Sequence, residues 1–484
     1  MKRTALILLA ASALAGCSMD PKFVDPKAPV PPSWPVGDSY LRQSEATLPS
    51  VTYRDIFRDP RLQSLVEQAL ANNRDLRVAA ANIAAARAQY RVQRAQRFPE
   101  VTTGAGVTES HGSSGSANGG AAAGGASAGT RTSYSADVSV TSFELDLFGR
   151  VASLTRAEQN RWFATEAAAR ATRLTLVGDI AEAWLTYASD ASLLKIAQDT
   201  AASAERSVRL TRARLQGGIA PRTDLAQAEQ TLASAQSDVA AQTTALAQDV
   251  NALRLLVGTE IDTALLPGSI DEAAPTIAEL PAGVDSGVLL RRPDVVQAEY
   301  TLHAANAEIG AARAALFPRI SLTGLLGLAS NALTGLFSGD GFRWSAGANA
   351  SYSIFNAGAG RANVALSQAQ RDAALASYER AIQTAFREVA DALARRGTID
   401  AQLRADTTNL AAAADSYRLS EARYRGGIDT FLASLVAQRS LYAAQRAMVT
   451  ARLTQANNLV TLYRTLGGDS LLTRTPEGPQ PATP

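Results

Sequence analysis

The 484-residue chain has one cysteine, Cys17, and only two histidines, His111 and His303. A lone thiol cannot close an intrachain disulfide, and so little imidazole and thiolate argues against a transition-metal centre. There is no G-x-x-x-x-G-K-[ST] run and no dinucleotide-binding glycine spacing, so the cluster Gly358-Ala359-Gly360 is not a phosphate cradle. No nucleophile, base or carboxylate constellation stands out, and neither catalysis nor a cofactor is expected. Past the first residues, no apolar run is long enough for a transmembrane helix, so any passage through a membrane has to be a β-barrel. The formal charge of +2 vanishes if the segment bearing Lys2 and Arg3 is removed. Without surplus positive charge the chain offers no general phosphate-binding field, and nucleic acid is excluded as a partner class.

The N-terminus has the order of a secretory signal. Met1-Lys2-Arg3 is positive, Thr4 to Leu14 is apolar, and Leu14-Ala15-Gly16-Cys17 closes with small residues. That ending resembles a bacterial lipobox. Residues 1–16 are therefore expected to be a signal peptide and Cys17 the lipidated (palmitate-type) N-terminus of the mature chain. Ser18 replaces the Asp that retains lipoproteins at the inner membrane, so sorting to the outer membrane is expected. Residues 17–60 read as an extended Pro-rich leader.

Two copies of one long module follow. Asp75 to Gly106 and Asp294 to Gly324 each run from an Ala-rich helix through Phe98-Pro99 or Phe317-Pro318 into an alternating stretch. Later in each half, Arg209-Leu210, Ala213-Arg214 and Gly217-Gly218-Ile219 recur, at one constant spacing, as Arg418-Leu419, Ala422-Arg423 and Gly426-Gly427-Ile428. Paired Gly-Gly-Ile turns and Phe-Pro steps are not chance matches between Ala-rich segments, and repeats of this kind pack side by side. Between Gly149 and Gln216 only Gly178 interrupts a helix, which at ~1.5 Å per residue reaches roughly 100 Å. Arg361 to Arg425 is its counterpart. Returning helices run from about Pro221 to Val257 and from about Thr430 to Leu466, with glycine pairs at the reversals. Leu174, Val177, Trp184, Leu185, Leu193 and Ile196 have the spacing of coiled-coil packing.

Each Phe-Pro step opens a predicted hairpin. The first pairs Glu100–Val107 with a strand near Tyr134–Thr141, where Tyr134, Ala136, Val138 and Val140 share one face. The second runs from Ile320 to about Ala329 and from Phe342 to Phe355, with Phe342, Trp344, Ala346, Ala348 and Ala350 on one face. Ser110 to Arg131, a Gly/Ser/Ala tract, reads as an exposed loop. Such alternation is the weak signature of a membrane barrel, and four strands cannot close one alone. A small soluble β domain capped by helices is the competing reading. Leu147-Phe148-Gly149-Arg150 and Phe355 to Arg361 follow the hairpins, with Gly149, Gly358 and Gly360 as strand-to-helix bends.

Taken in order, the lipobox, the duplication, Phe148-Gly149-Arg150, Arg291-Arg292-Pro293-Asp294, the Phe-Pro steps and Tyr424-x-x-Gly427 resemble the outer-membrane factor family. These are the TolC- and OprM-like channels, and the resemblance is strongest to their NodT-type lipoprotein branch. It implies a mainly α fold with a β-barrel portion, in which a homotrimer shares a 12-stranded β-barrel and a 12-helix α-barrel. It divides the chain into repeats at 61–258 (hairpin about 100–146) and 293–467 (hairpin about 319–355), an equatorial connector at 259–292, and a disordered C-terminal tail at 468–484. It implies passive efflux of drugs and other toxic small molecules, and hence multidrug resistance. The partners implied are a periplasmic adaptor, an inner-membrane transporter and outer-membrane lipid, with a tunnel extending into the periplasm. Type I protein secretion or heavy-metal export by the same fold, or a non-conducting periplasmic stalk, remain as alternatives.

In that family the inter-helix turns form the periplasmic aperture and meet the adaptor. The matching residues here are Gly217, Gly218, Asp224, Tyr424, Arg425, Gly426, Gly427 and Asp429. Asp224 and Asp429 could instead serve as helix caps or first-turn charges. If they face a narrow opening, a contact such as Arg222 or Arg425 has to offset their repulsion. TolC itself carries two carboxylates just past the turn. Ala433 and Val436 stand at those positions here, so cation preference does not carry over.

Overall fold

The computed structural model describes residues 19–24, 26, 29, 52–111, 130–279, 286–337 and 339–482. The signal segment, Cys17, most of the leader and residues 112–129 of the Gly/Ser/Ala tract lie outside them. The chain divides into two compact units: Met1–Pro26, Ala84–Trp162 and Tyr300–Ala376 form the first, and the remaining segments form the second.

The first unit is built on one antiparallel sheet in the order β1 (Thr102–His111), β2 (Thr130–Leu145), β3 (Arg319–Ser330) and β4 (Phe342–Ser351). Period-two alternation gives it two unlike faces. On one face Val138 pairs with Leu326, and Leu326 in turn with Trp344; Ala136, Leu328 and Phe342 form the next row. On the other face lie Asp137, Ser139, Thr323, Ser345 and Asn349. The register of β2 against β3 shifts between Val140 and Phe143. One extra residue there restores the phase, so that Phe143 and Leu145 join the apolar face opposite Leu322 and Ile320. Many apolar side chains on this face remain uncovered, with Trp344 69% and Phe342 57% exposed. Among the described residues, β1 and β4 each have a neighbour on one side only.

At the foot of the sheet, Phe148 stacks on Phe317 with ring centroids 4.7 Å apart, joining one repeat to the other. Gly149 turns the chain at φ 74°. The Asp146 carboxylate then accepts from the Val151 and Ala152 amides at 3.0 and 2.7 Å, and Glu144 takes both arms of the Arg150 guanidinium. The Phe-Gly-Arg step is thus a helix start with two of its orphan amides satisfied by one carboxylate. In the second copy Gly358 has φ 87°. Gly360 is already helical, and its constraint is space: a Cβ there would come within 2.7 Å of Leu316.

The helices repeat with the sequence. α1 is a short turn, Tyr53–Ile56, followed by α2, Pro60–Asn72. α3 (Arg74–Ala95) and α7 (Pro293–Ala314) each have 22 residues; α4 (Arg150–Gln216) and α8 (Ala359–Arg425) each have 67. The returning α5 (Arg222–Val257) and α9 (Phe431–Thr465) have 36 and 35. Short helical turns, among them α6 (Ile270–Ala273), fill the connector between the repeats.

The core of the second unit gathers Phe57, Leu62, Leu65, Trp184, Leu253, Ile270, Leu289 and Tyr463, all fully buried. Trp184 donates its indole N–H to the Leu265 carbonyl at 3.0 Å. Arg292 of the Arg-Arg-Pro-Asp motif is buried; it donates to the Thr465 carbonyl and pairs with Asp294 and Glu388. One guanidinium therefore ties the start of α7 to the end of α9 and the middle of α8. Two boundary expectations are corrected here. The leader does not stay extended to residue 60, because Tyr53–Ile56 is helical and Phe57 bridges to Ile277. The segment from 468 is not a disordered tail: β5 (Leu472–Thr475) and β6 (Gly478–Pro481) form a hairpin. Leu472 is buried, and Gly478 packs where a Cβ would reach 2.9 Å from Phe163. Arg474 also pairs with Glu299 at 2.8 Å.

Candidate functional site: the paired inter-helix turns

The two reversals have nearly the same backbone. In the first, the amides of Gly217, Gly218 and Ile219 bond back to the Ala213, Leu215 and Arg214 carbonyls. In the second, those of Gly426, Gly427 and Ile428 bond to Ala422, Tyr424 and Arg423. Gly218 and Gly427 share φ 74°, the left-handed conformation that ends a helix most cheaply on glycine. Ile219 and Ile428 point outward, 79% and 69% exposed.

Just past the turns the two copies diverge. Ala220 stands where the second copy has Asp429, and Ala433 stands where the first has Asp224. The acids are therefore not repeat equivalents. Asp429 precedes the N-cap Thr430; it accepts from the Thr430 amide at 2.9 Å and from Arg423 Nε at 3.2 Å. Those two donors hold its carboxyl below the ordinary range. The expected offsetting partners are corrected: Arg423 performs that role, and Arg425 pairs with Glu421 at 2.6 Å. Asp224 lies in the first turn of α5 and makes no side-chain bond among the described residues.

Arg214, the repeat equivalent of Arg423, has no acid to hold it at home. It reaches across to donate to the Tyr424 and Arg425 carbonyls, each at 3.1 Å, and its guanidinium lies 4.4 Å from the Tyr424 ring centroid. The Tyr424 hydroxyl lies 3.3 Å from Thr211 Oγ1, and its ring stands 5.4 Å from Phe431. Val208, Ala228, Phe431 and Leu435 complete the apolar cluster around that ring. The structure thus brings Tyr424, Arg425 and the second glycine pair against the end of α4 through Arg214, which sequence reasoning did not single out. The signal was the repeat comparison itself: the same arginine with its acidic neighbour missing.

A second junction lies along the stem. Asp190 on α4 and Asp249 on α5 form a carboxyl pair, and burial beside Asp190 pushes Asp249 up to about 6. Farther along, Tyr442 donates to Asp238 at 2.7 Å, linking α9 to α5. Among the described residues no helix is long and apolar enough to cross a membrane, and no group of three or more potential metal ligands occurs. The geometry offers an amphipathic sheet with two open edges and long helical hairpins with clamped tips.

Known proteins match the chain over nearly its whole length. The family model described as "Outer membrane efflux protein" matches residues 65–259 and 286–468. The antibiotic efflux pump outer membrane protein ArpC of Pseudomonas putida is 43% identical over 96% of this chain and 95% of its own. The toluene efflux pump outer membrane protein TtgC, also of Pseudomonas putida, matches with the same identity and coverage. The open state of the Neisseria gonorrhoeae MtrE outer membrane channel superposes with a TM-score of 0.80 at 34% identity, covering 93% of this chain and 98% of that one. The chain belongs to the outer membrane efflux protein family, the TolC-like channels of the outer membrane.

Proposed function

We propose that three copies of this chain form one duct, each contributing four strands to a shared barrel and its helical hairpins to a periplasmic tunnel. The observation that carries this reading is the sheet: an exposed apolar face, a polar face and two unpaired edges. Open edges are not tolerated in lipid, and the strands of neighbouring copies would close them. The duct conducts passively, with an inner-membrane transporter supplying the energy and a periplasmic adaptor docking at the helix ends. Antibiotics and aromatic solvents such as toluene are the proposed cargo, by likeness to ArpC and TtgC. The repeats 61–258 and 293–467, joined by the 259–292 connector, are the proposed functional halves. Gly217, Gly218, Asp224, Tyr424, Arg425, Gly426, Gly427 and Asp429 are the proposed aperture and adaptor contact. Cys17 is the proposed lipid anchor, supported by Leu14-Ala15-Gly16-Cys17 and by the absence of any other thiol. Protein purified in mild detergent should have three times the mass of one chain and conduct ions in planar bilayers. A stable monomer with full strand content would defeat the shared-barrel reading.

A further inference from the structure

The described stretch nearest Cys17 is tied down. Within the first unit, Asp20 lies between α4 and α7: its carboxylate accepts from Ser153 Oγ at 2.6 Å and from Arg156 Nε at 2.7 Å. Arg156 also reaches Ser153 Oγ at 3.0 Å, and Ser153 is fully buried, so the three groups satisfy one another. One residue on, the Pro21 carbonyl accepts from Asn306 Nδ2 at 3.1 Å. Phe23 lies on the His303 ring with centroids 3.8 Å apart. The floor of the seat is Gly310, on α7. A Cβ there would stand 2.9 Å from the Asp20 Cα and run into its carboxylate. Gly310 has no positive φ to explain it and sits inside a 22-residue helix, where glycine costs stability. Its role is to let another backbone come close.

We propose that this groove is a dedicated seat for the leader, which fixes the lipid anchor at the foot of the β-sheet. The inference rests on lipidation of Cys17. Cys17 and Asp20 are three peptide steps apart, so their Cα atoms are at most about 11 Å apart. Ser153 and Arg156 lie within the first two turns of α4, roughly 10 Å along the helix from the strand-to-helix bend. Acyl chains held on so short a tether enter the leaflet beside the sheet of their own chain. Anchor and strands then act as one hold on the membrane, with the high effective concentration of a short linker. An unseated leader would leave the anchor free over the full reach of residues 17–52.

The chain has four lysines, Lys2, Lys22, Lys27 and Lys195, so a lysine-specific protease reads the seat directly at Lys22, between docked Pro21 and Phe23. With intact lipidated protein in mild detergent, cleavage after Lys22 should be slow. It should accelerate at least about tenfold in Asp20→Ala and in Gly310→Leu, the loss of a charged hydrogen-bond cluster. Asp20→Ala changes only the leader and so keeps the test valid if Gly310→Leu misfolds. In vesicles, both variants should insert and reach the oligomeric form severalfold more slowly while remaining acylated. Cleavage rates equal to wild type in both variants would overturn the seat, and unchanged insertion despite a released leader would overturn its anchoring role. Mass measurement of the N-terminal peptide separates the underlying reading, because an unmodified Cys17 with a protected Lys22 refutes lipidation and leaves the groove in place.

Discussion

Replacing Arg214 with alanine should loosen the clamp between the two turns and raise the time the channel spends open. The side chain makes two charge-assisted hydrogen bonds to backbone carbonyls of the other repeat and covers the Tyr424 ring. A hydrogen bond from a charged group contributes about 1.5 kcal/mol at the low end, and partial exposure of Arg214 roughly halves that. The ring contact adds about 0.5 kcal/mol at so wet a site. Together these come to ~2 kcal/mol, or roughly a thirtyfold shift in an equilibrium between clamped and released tips. Single-channel recording in planar bilayers reads that ratio as open probability. Arg214→Lys is the discriminating control: an ammonium keeps the charge but cannot fork between the two carbonyls in the same way, so it should fall between wild type and alanine. Asp429→Asn should have a smaller effect, since it frees Arg423 without breaking the cross-repeat contact. Normal oligomers of Arg214→Ala with the open probability of wild type would refute the clamp.

Four further outcomes are expected. Mass spectrometry should find acyl chains on Cys17 at the mature N-terminus; an unmodified terminus elsewhere removes the anchor. Trp344→Arg places a charge on the apolar face of β4 at a cost of about 2–4 kcal/mol near the membrane midplane, and heat-resistant oligomers on gels should be lost; if they persist, that face does not meet lipid. Shortening the tract within residues 112–129, between the paired ends of β1 and β2, should leave assembly unchanged, because its Gly/Ser/Ala sequence offers nothing to build a core. The raised carboxyl of Asp249 binds its proton more tightly in the folded state, so its contribution is fully present below the ordinary carboxylate range and is lost as pH rises through about 6. Asp249→Asn should therefore melt above wild type at pH 8 and match it at pH 4; equal melting at both would mean that burial does not raise the Asp249 carboxyl.

How far the sequence could be read depended on whether a feature is periodic or depends on contact. Helix lengths, turns and the paired faces of the sheet follow from local pattern, because side chains recur with the period of the element that carries them. The end of β2 did not follow, since Thr141-Ser142 look like the polar close of a strand. Only pairing with β3 shows an extra residue that returns Phe143 and Leu145 to the apolar face. The C-terminal hairpin is another such case: Thr475-Pro476-Glu477-Gly478-Pro479 reads as a disordered tail, yet Leu472 and Gly478 find places in a core built by residues far away in sequence. At the turns, duplication first suggests that both copies do the same thing. The structure argues otherwise, from a difference of two residues. Asp429 captures Arg423 within its own turn, whereas Ala220 leaves Arg214 free to bind the other repeat's backbone. Two copies with identical acids would each hold their own arginine, and only the Thr211–Tyr424 hydroxyl contact would link α4 to the second turn there. Losing one acid converts a local ion pair into a contact between repeats, and under the proposed aperture role that contact is the one opening has to undo. The prediction is reciprocal. Ala220→Asp should draw Arg214 back to its own turn and raise open probability as Arg214→Ala does, and the two changes together should exceed neither alone. Additive effects in that double mutant would place the clamp elsewhere.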